Sequence, residues 1–223
     1  MASTHIQTLL STPVKVAIRA FRADDANSLT GPWAAYCDEV LEKRAVERAG
    51  VSKLLIELGA PSPPSRDVNR RPVVKDWAYT SISHTEGWAA VAHGDRPLGI
   101  DIERPREQLI RVGRRVISAD EALDWLASDQ DLAGLTRLWA AKEAVYKRFG
   151  SGVTSTDIQL LKPGPAEARE GAAAVALVAR AGTGTGTGPQ TNTGAPHRMG
   201  VAWSALLDDN GQPAWIAVTW DLD

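Results

Sequence analysis

Residues 99 to 106 read GIDIERPR. Apolar and acidic side chains alternate across Ile100, Asp101, Ile102 and Glu103, which is the period of a β-strand, so the isoleucines enter a core while the carboxylates project together. At ~3.3 Å of rise per residue the two acidic positions lie roughly 6.6 Å apart, a spacing that can pinch a cation. Two unpaired acids side by side raise each other's pKa, whereas a divalent ion between them holds both ionised. The alternative on this stretch alone is a solvated strand edge with Arg104 and Arg106 as counterions.

Upstream, YTSIS (79–83) and WAAVAHGD (88–95) flank a glycine and read as a hairpin that leads into LGIDIE as the next strand. VKVAIRAF (14–21) alternates like a half-buried strand, and Asp38 to Leu58 carries apolar residues at helical spacing. Between them and the hairpin, GAPSPPSRDVNRRP (59–72) marks a long surface loop. Downstream, Ser118 to Phe149 reads as one or two helices. Ser118 caps with Glu121 at its third position, and Leu135, Leu138, Trp139, Val145, Tyr146 and Phe149 fall largely on one stripe. TSTDIQLLK (154–162), AAVALVAR (173–180), RMGVAWSALL (198–207) and PAWIAVTWDLD (213–223) return to strands.

Residues 181 to 194, AGTGTGTGPQTNTG, hold no apolar group to offset the entropy of ordering, so a mobile hairpin loop is expected. Without a Gly-Lys-Ser/Thr or a following helix these glycines are not a phosphate cradle. A faint internal echo joins Trp88-Ala89-Ala90-Val91 to Trp215-Ile216-Ala217-Val218, each near the end of a strand-rich half.

The chain of 223 residues carries a formal net charge of -2, so no global basic field holds nucleic acid or an anionic membrane, and any anion site must be local. Cys37 stands alone and has no partner base nearby in sequence, which makes it a small buried residue rather than a nucleophile. The N-terminal MASTHIQTLL lacks the basic and apolar regions of a secretory signal, and no stretch approaches the roughly 18 to 20 apolar residues of a membrane span. A cytoplasmic protein is expected.

Two further stretches carry chemistry. In LWAAKEAVYKRFG (138–150), Glu143 and Lys147 sit four apart on one helix face; the plain alternative is a surface ion pair contributing only ~0.2 to 0.5 kcal/mol. In SISHTEGW (81–88), hydroxyls, an imidazole and backbone N–H groups gather where a strand enters a turn and can meet a phosphate, although a histidine there is more commonly a satisfied turn residue.

Taken together, SISH at 81–84, GIDIE at 99–103 and WAAKEAVYK at 139–147 resemble the 4'-phosphopantetheinyl transferase superfamily, in its larger, surfactin-type branch. That branch shows a Ser-His turn, then G-[IV]-D-x-[ED], then W-x-x-K-E-[AS]-x-x-K. The close resemblance covers roughly residues 70 to 150. It implies an α+β fold, a pseudodimer of two similar lobes, each a small antiparallel sheet packed by helices, divided as residues 1–98 and 99–223 with the active site between them. It implies magnesium-dependent transfer of the phosphopantetheine arm of coenzyme A to a serine of an apo acyl or peptidyl carrier protein, with release of adenosine 3',5'-bisphosphate, by a monomer.

By the same resemblance Asp101, Glu103 and Glu143 match metal-binding acids. Glu143 and Lys147 match the catalytic pair, and Arg71, Ser83, His84, Asp101 and Lys147 match coenzyme A contacts. Three acids plus a diphosphate suit magnesium, which prefers oxygen ligands. Arg70 and Arg71 stand where the family has the Gly-Lys of a Gly-Lys-Pro, so the charge survives while the glycine turn does not. Glu121 matches a family acid as well as a capping residue, and Arg44, Arg48 and Lys53 are candidates for nucleotide contact. The competing readings are a magnesium-dependent nuclease or phosphohydrolase, and a coenzyme A- or carrier-binding module without turnover.

Overall fold

The computed structural model describes residues 4–7, 14–21, 23–40, 42–150, 153–169, 172–178, 196–208 and 211–222; the glycine-rich stretch 181–194 lies outside them. The architecture is mixed α/β with small antiparallel sheets. Strands β1 (Thr4–Gln7) and β2 (Lys15–Ala20) are followed by helices α1 (Gly31–Asp38) and α2 (Glu42–Glu57). A two-residue pair, β3 (Ser65–Arg66) and β4 (Pro72–Val73), precedes the hairpin β5 (Tyr79–Thr85) and β6 (Trp88–Gly94) and the strand β7 (Leu98–Glu103). Helices α3 (Gln108–Val116), α4 (Ala119–Trp125) and α5 (Leu132–Phe149) come next. Then follow β8 (Ile158–Leu161), α6 (Pro165–Arg169), β9 (Ala174–Val178), β10 (His197–Leu207) and β11 (Pro213–Asp221). The helix expected over 38–58 is α2, and α1 is a further helix upstream of that stretch; Pro32 stands in the first turn of α1, where its missing N–H costs nothing.

One sheet runs β1-β2-β6-β5 and the other β7-β11-β10-β9-β8. The strand LGIDIE follows the hairpin as expected, yet it pairs with β11, setting Ile102 opposite Ile216 and Asp101 opposite Ala217. The chain therefore changes sheets at Leu98. The outer edge of β7 would leave backbone N–H groups without a ladder partner. Ser81 and Ser83, alternate residues of β5, supply one: Ile100 N–H donates to Ser81 Oγ at 3.0 Å and Ile102 N–H to Ser83 Oγ at 3.3 Å. Two serine hydroxyls thus sew the sheets together edge to edge.

Ile18, Trp88, Ile100, Ile102, Ile216 and Trp220 form the core that joins one face of each sheet. On the opposite faces α2 brings Leu54 and Leu55 to Ala17 and Val91, and α5 brings Leu138 and Val145 to Met199 and Ala217. The two halves share a connection pattern: β2, then α2, then the β5–β6 hairpin with β2 beside β6; and β7, then α5, then the β10–β11 hairpin with β7 beside β11. The W-x-A-V echo falls in one register, since Trp88 faces Ala20, the last residue of β2, and Trp215 faces Glu103, the last of β7.

Gly99 fixes how closely α5 crosses β7. A Cβ there would lie 1.9 Å from the carbonyl oxygen of Ala144 and 3.0 Å from the backbone nitrogen of Arg148. Since helix backbone cannot give way as a side-chain tip can, Gly99→Ala is expected to destabilise the protein by about 2 to 3 kcal/mol. Urea unfolding followed by circular dichroism measures it.

Candidate active site

Asp101 stands on the face of β7 that α5 covers, and it is buried. Lys147, on α5, donates from Nζ to Asp101 Oδ1 at 2.7 Å, to Ser83 Oγ at 2.8 Å and to the carbonyl of Ile82 at 3.4 Å. Ser83 in turn donates to Asp101 Oδ1 at 2.7 Å. The hydroxyl thereby uses its one proton and accepts from both Lys147 and the Ile102 amide. The helix-surface pair that the Glu143–Lys147 spacing offered is replaced by a strand–helix pair, Lys147 with Asp101.

The other carboxylate oxygen, Asp101 Oδ2, is buried with no hydrogen-bond partner. Glu103 accepts at Oε1 from the Trp139 indole at 3.2 Å and from Arg106 at 3.0 Å. Burial, then the charge of Asp101, push the Glu103 carboxyl up to about 7. Glu143 is raised by the same causes in the same order, partly offset by Lys147 and by the nearby Ser155 side chain. Three carboxylates are thus set against one another through Asp101, with an unsatisfied oxygen at the centre.

That donor set has the chemistry to take a hard cation: oxygen ligands, mutual repulsion that a divalent ion removes, and one orphaned acceptor. Among the described residues no three His, Cys, Asp or Glu side chains already stand as a metal shell. Asp101, Glu103 and Glu143 supply oxygen donors and negative charge of that kind without standing together as such a shell.

The proton on Glu103 has a thermodynamic consequence. Its folded value of about 7 lies above the ordinary 4.5, so between those limits the folded chain binds more protons than the unfolded one. This stabilising contribution is complete below about pH 4.5 and lost as pH rises through about 7. Without divalent ions, the melting temperature is expected to fall across that window, and Glu103→Gln to flatten the fall.

Around this wall the surface opens into adjoining hollows. One of about 800 Å³ is lined by Arg44, Glu47, Arg48, Arg66, Ile82 and His84. A second of about 320 Å³ shares Arg66 and Ile82 and adds Arg70, Arg71, Tyr146 and Lys147. A third of about 700 Å³ shares Glu47 and His84 with the first and reaches Glu103 and Arg106. His84 Nδ1 lies 3.5 Å from Glu47 Oε2, and burial is the main cause that lowers its pKa below the ordinary histidine range, with Lys147 and Arg44 pressing the same way.

Arg71 lines the second hollow and donates from its guanidinium to the carbonyl of Phe149 at the end of α5. The turn before it survives the loss of glycine, because Arg70 itself adopts φ 63°. Asp67 makes this tenable: its carboxylate accepts from the amides of Asn69 and Arg71, each at 2.8 Å, while the Arg70 amide donates to the Asp67 carbonyl at 2.9 Å. Aspartate turns of this kind are a local signal in DVNRR that a reading centred on glycine overlooks.

Of the other candidates, Arg44 and Arg48 line the large hollow, whereas Lys53 bonds Asp25 at 2.7 Å. Tyr146, expected on the apolar stripe, is exposed at the rim of the second hollow. Glu121 completes the capping box with Ser118 and also accepts from Lys142 at 2.9 Å and from the Leu160 amide at 2.9 Å. Cys37 is buried, its thiol pushed up mainly by burial.

Residues 97–180 match the family described as the 4'-phosphopantetheinyl transferase superfamily. The chain is 33% identical over 88 residues to 4'-phosphopantetheinyl transferase Sfp of Bacillus subtilis (strain 168), a match covering 38% of this chain and 39% of that protein. It is 31% identical over 86 residues to 4'-phosphopantetheinyl transferase gsp of Aneurinibacillus migulanus, covering 37% and 36%. Over 111 residues it is 32% identical to Enterobactin synthase component D of Salmonella typhi, covering 48% and 47%. The chain thus spans less than half the length of these curated relatives. The family match takes in β7 and α5, the strand and helix that bring Asp101, Glu143 and Lys147 together, and in this part the chain is similar to the 4'-phosphopantetheinyl transferase superfamily, of the surfactin type.

Proposed function

We propose that this chain transfers the 4'-phosphopantetheine arm of coenzyme A to a serine hydroxyl of an apo acyl or peptidyl carrier protein, releasing adenosine 3',5'-bisphosphate. The observation that carries this reading is the meeting of Lys147, Asp101 and two further raised carboxylates beside hollows rimmed by arginines. The donor is a polyanion. Arg44, Arg48, Arg66, Arg71 and His84 offer cationic or N–H groups along the hollows to hold its phosphates, without any global positive charge.

Glu143, its pKa raised by burial and by Asp101, is suited to take the proton from the incoming serine. Lys147 neutralises the diphosphate as the phosphorus–oxygen bond to the nucleotide breaks. Asp101 holds Lys147 and, with Glu103 and Glu143, provides the oxygens for magnesium, which when bound would offset charge on the diphosphate. Two lobes related by duplication, residues 1–98 and 99–223, account for the shared strand–helix–hairpin connection and for the common register of the W-x-A-V segments. The protein acts as a cytoplasmic monomer in this reading.

The test is incubation with coenzyme A, magnesium and a panel of apo carriers from fatty-acid, polyketide and peptide synthases, followed by intact-mass spectrometry. A carrier that gains the phosphopantetheine mass on its serine supports the assignment. Nucleotide release without any carrier indicates a phosphohydrolase instead and overturns it.

A further inference from the structure

Four of the seven large apolar side chains exposed among the described residues gather at one place. Val68 is 97% exposed, Val73 and Tyr79 are each 42% exposed, and Tyr146 is 40% exposed. Tyr79 and Tyr146 line the second hollow, as do Arg66, Asn69, Arg70 and Pro72 of the β3–β4 hairpin that carries Val68 and Val73. A single exposed valine is ordinary; several apolar side chains around one hollow mark a surface that meets a partner. The tip is also fixed outward. Asp67 Oδ1 accepts from the Asn69 and Arg71 amides, and the Asp67 amide donates to the Arg71 carbonyl at 3.0 Å, so the turn cannot fold Val68 back without breaking three hydrogen bonds.

The charges around this apolar group have one sign. Arg66, Arg70, Arg71, Lys147 and Arg148 line the second hollow and no carboxylate does, whereas Glu47, Glu86 and Glu103 line the third. Lys147 and Arg148 are paired with Asp101 and Asp221, but among the described residues neither Arg66 nor Arg70 enters an ion pair. The other exposed basic surface is α3, where Arg111, Arg114 and Arg115 face solvent. There Leu109 is buried and Ile110, Val112 and Val116 are half-buried, so those cations have no exposed apolar anchor on their helix. From this juxtaposition we infer that the β3–β4 hairpin, with Tyr79 and Tyr146, is the docking surface for the acceptor protein, which meets it with an acidic segment bearing apolar side chains. The inference rests on the transferase reading, which makes the acceptor a macromolecule that must cover the wall where Lys147 stands. Lys147 and the hairpin line the same hollow, so a partner seated on the hairpin lies over that wall.

Val68→Glu is expected to raise KM for the apo carrier about tenfold or more, with kcat at saturating carrier and KM for coenzyme A unchanged, because it puts a repelling charge at the centre of the surface. Val68→Ile, which keeps the apolar tip, leaves the carrier KM near its wild-type value. Arg70→Glu raises the carrier KM as well, and changing acidic side chains near the carrier's serine to lysine recovers part of that loss. A carrier KM within about twofold of wild type in both Val68→Glu and Arg70→Glu overturns the inference, as does a KM for coenzyme A that rises in step with it. So does a rise seen in Arg114→Glu alone, which places the docking surface on α3. In each of these cases transfer by the wild-type protein leaves the transferase reading standing. If the wild-type protein modifies no carrier of the panel, that reading falls and the inference falls with it.

Discussion

Asp101→Asn is expected to lower carrier modification by about a thousandfold, the scale on which preorganised charge acts at a phosphoryl centre, while leaving the fold intact. Asparagine keeps the shape of the side chain and one oxygen able to accept from Lys147 and Ser83, which now reach Asp101 Oδ1 at 2.7 Å each. Only the charge goes. With it go the opposite charge that pairs with the Lys147 ammonium, the oxygen left unpaired at Oδ2, and the neighbouring charge that raises Glu103 and Glu143. The pKa of Glu103, read by NMR on the metal-free protein, should accordingly fall from about 7 toward its ordinary range. Far-UV circular dichroism checks the fold, and mass spectrometry of the carrier checks transfer. Transfer within tenfold of wild type would remove Asp101 from the centre of the mechanism.

The strand that carries Asp101 was legible because its period is two and short-range: Ile100 and Ile102 enter the core as the alternation requires. Its partner was not legible, since β11 begins 110 residues after the end of β7 (213 − 103) and many apolar strands would serve. Nor was the role of Ser81, because a hydroxyl that replaces a ladder partner leaves no periodic trace. Glu143 and Lys147 were read as neighbours on a helix; spacing along one element cannot disclose that a crossing strand offers Lys147 a better-buried carboxylate. The stripe on α5 placed Leu135, Leu138 and Val145 correctly in the interior, but Tyr146 lies exposed where the helix wall borders a hollow. Apolar pattern identifies a helix face better than it identifies the edge of that face.

Lys142, the lysine of the W-x-x-K-E match and given no role from the sequence, is 1% exposed. Burial lowers its pKa, and Glu121, also buried, works against that shift by hydrogen bond and charge. Glu121→Ala is therefore expected to destabilise the protein by about 3 to 5 kcal/mol, because it strands an ammonium in the interior and also removes the acceptor for the Leu160 and Ser118 amides. Three backbone carbonyls still surround Lys142, so part of the loss is offset by their dipoles and part by deprotonation. Combining Glu121→Ala with Lys142→Met separates the terms. Removing both charges should recover some of the stability, as replacing a whole buried ion pair often does, but not all of it, since the carbonyls of Val116, Ser155 and Ile158 then lose their donor. Chemical unfolding of the two single variants and the double variant gives the coupling directly. A double variant less stable than the sum of the single losses would show that the pair is held together by its backbone contacts rather than by charge.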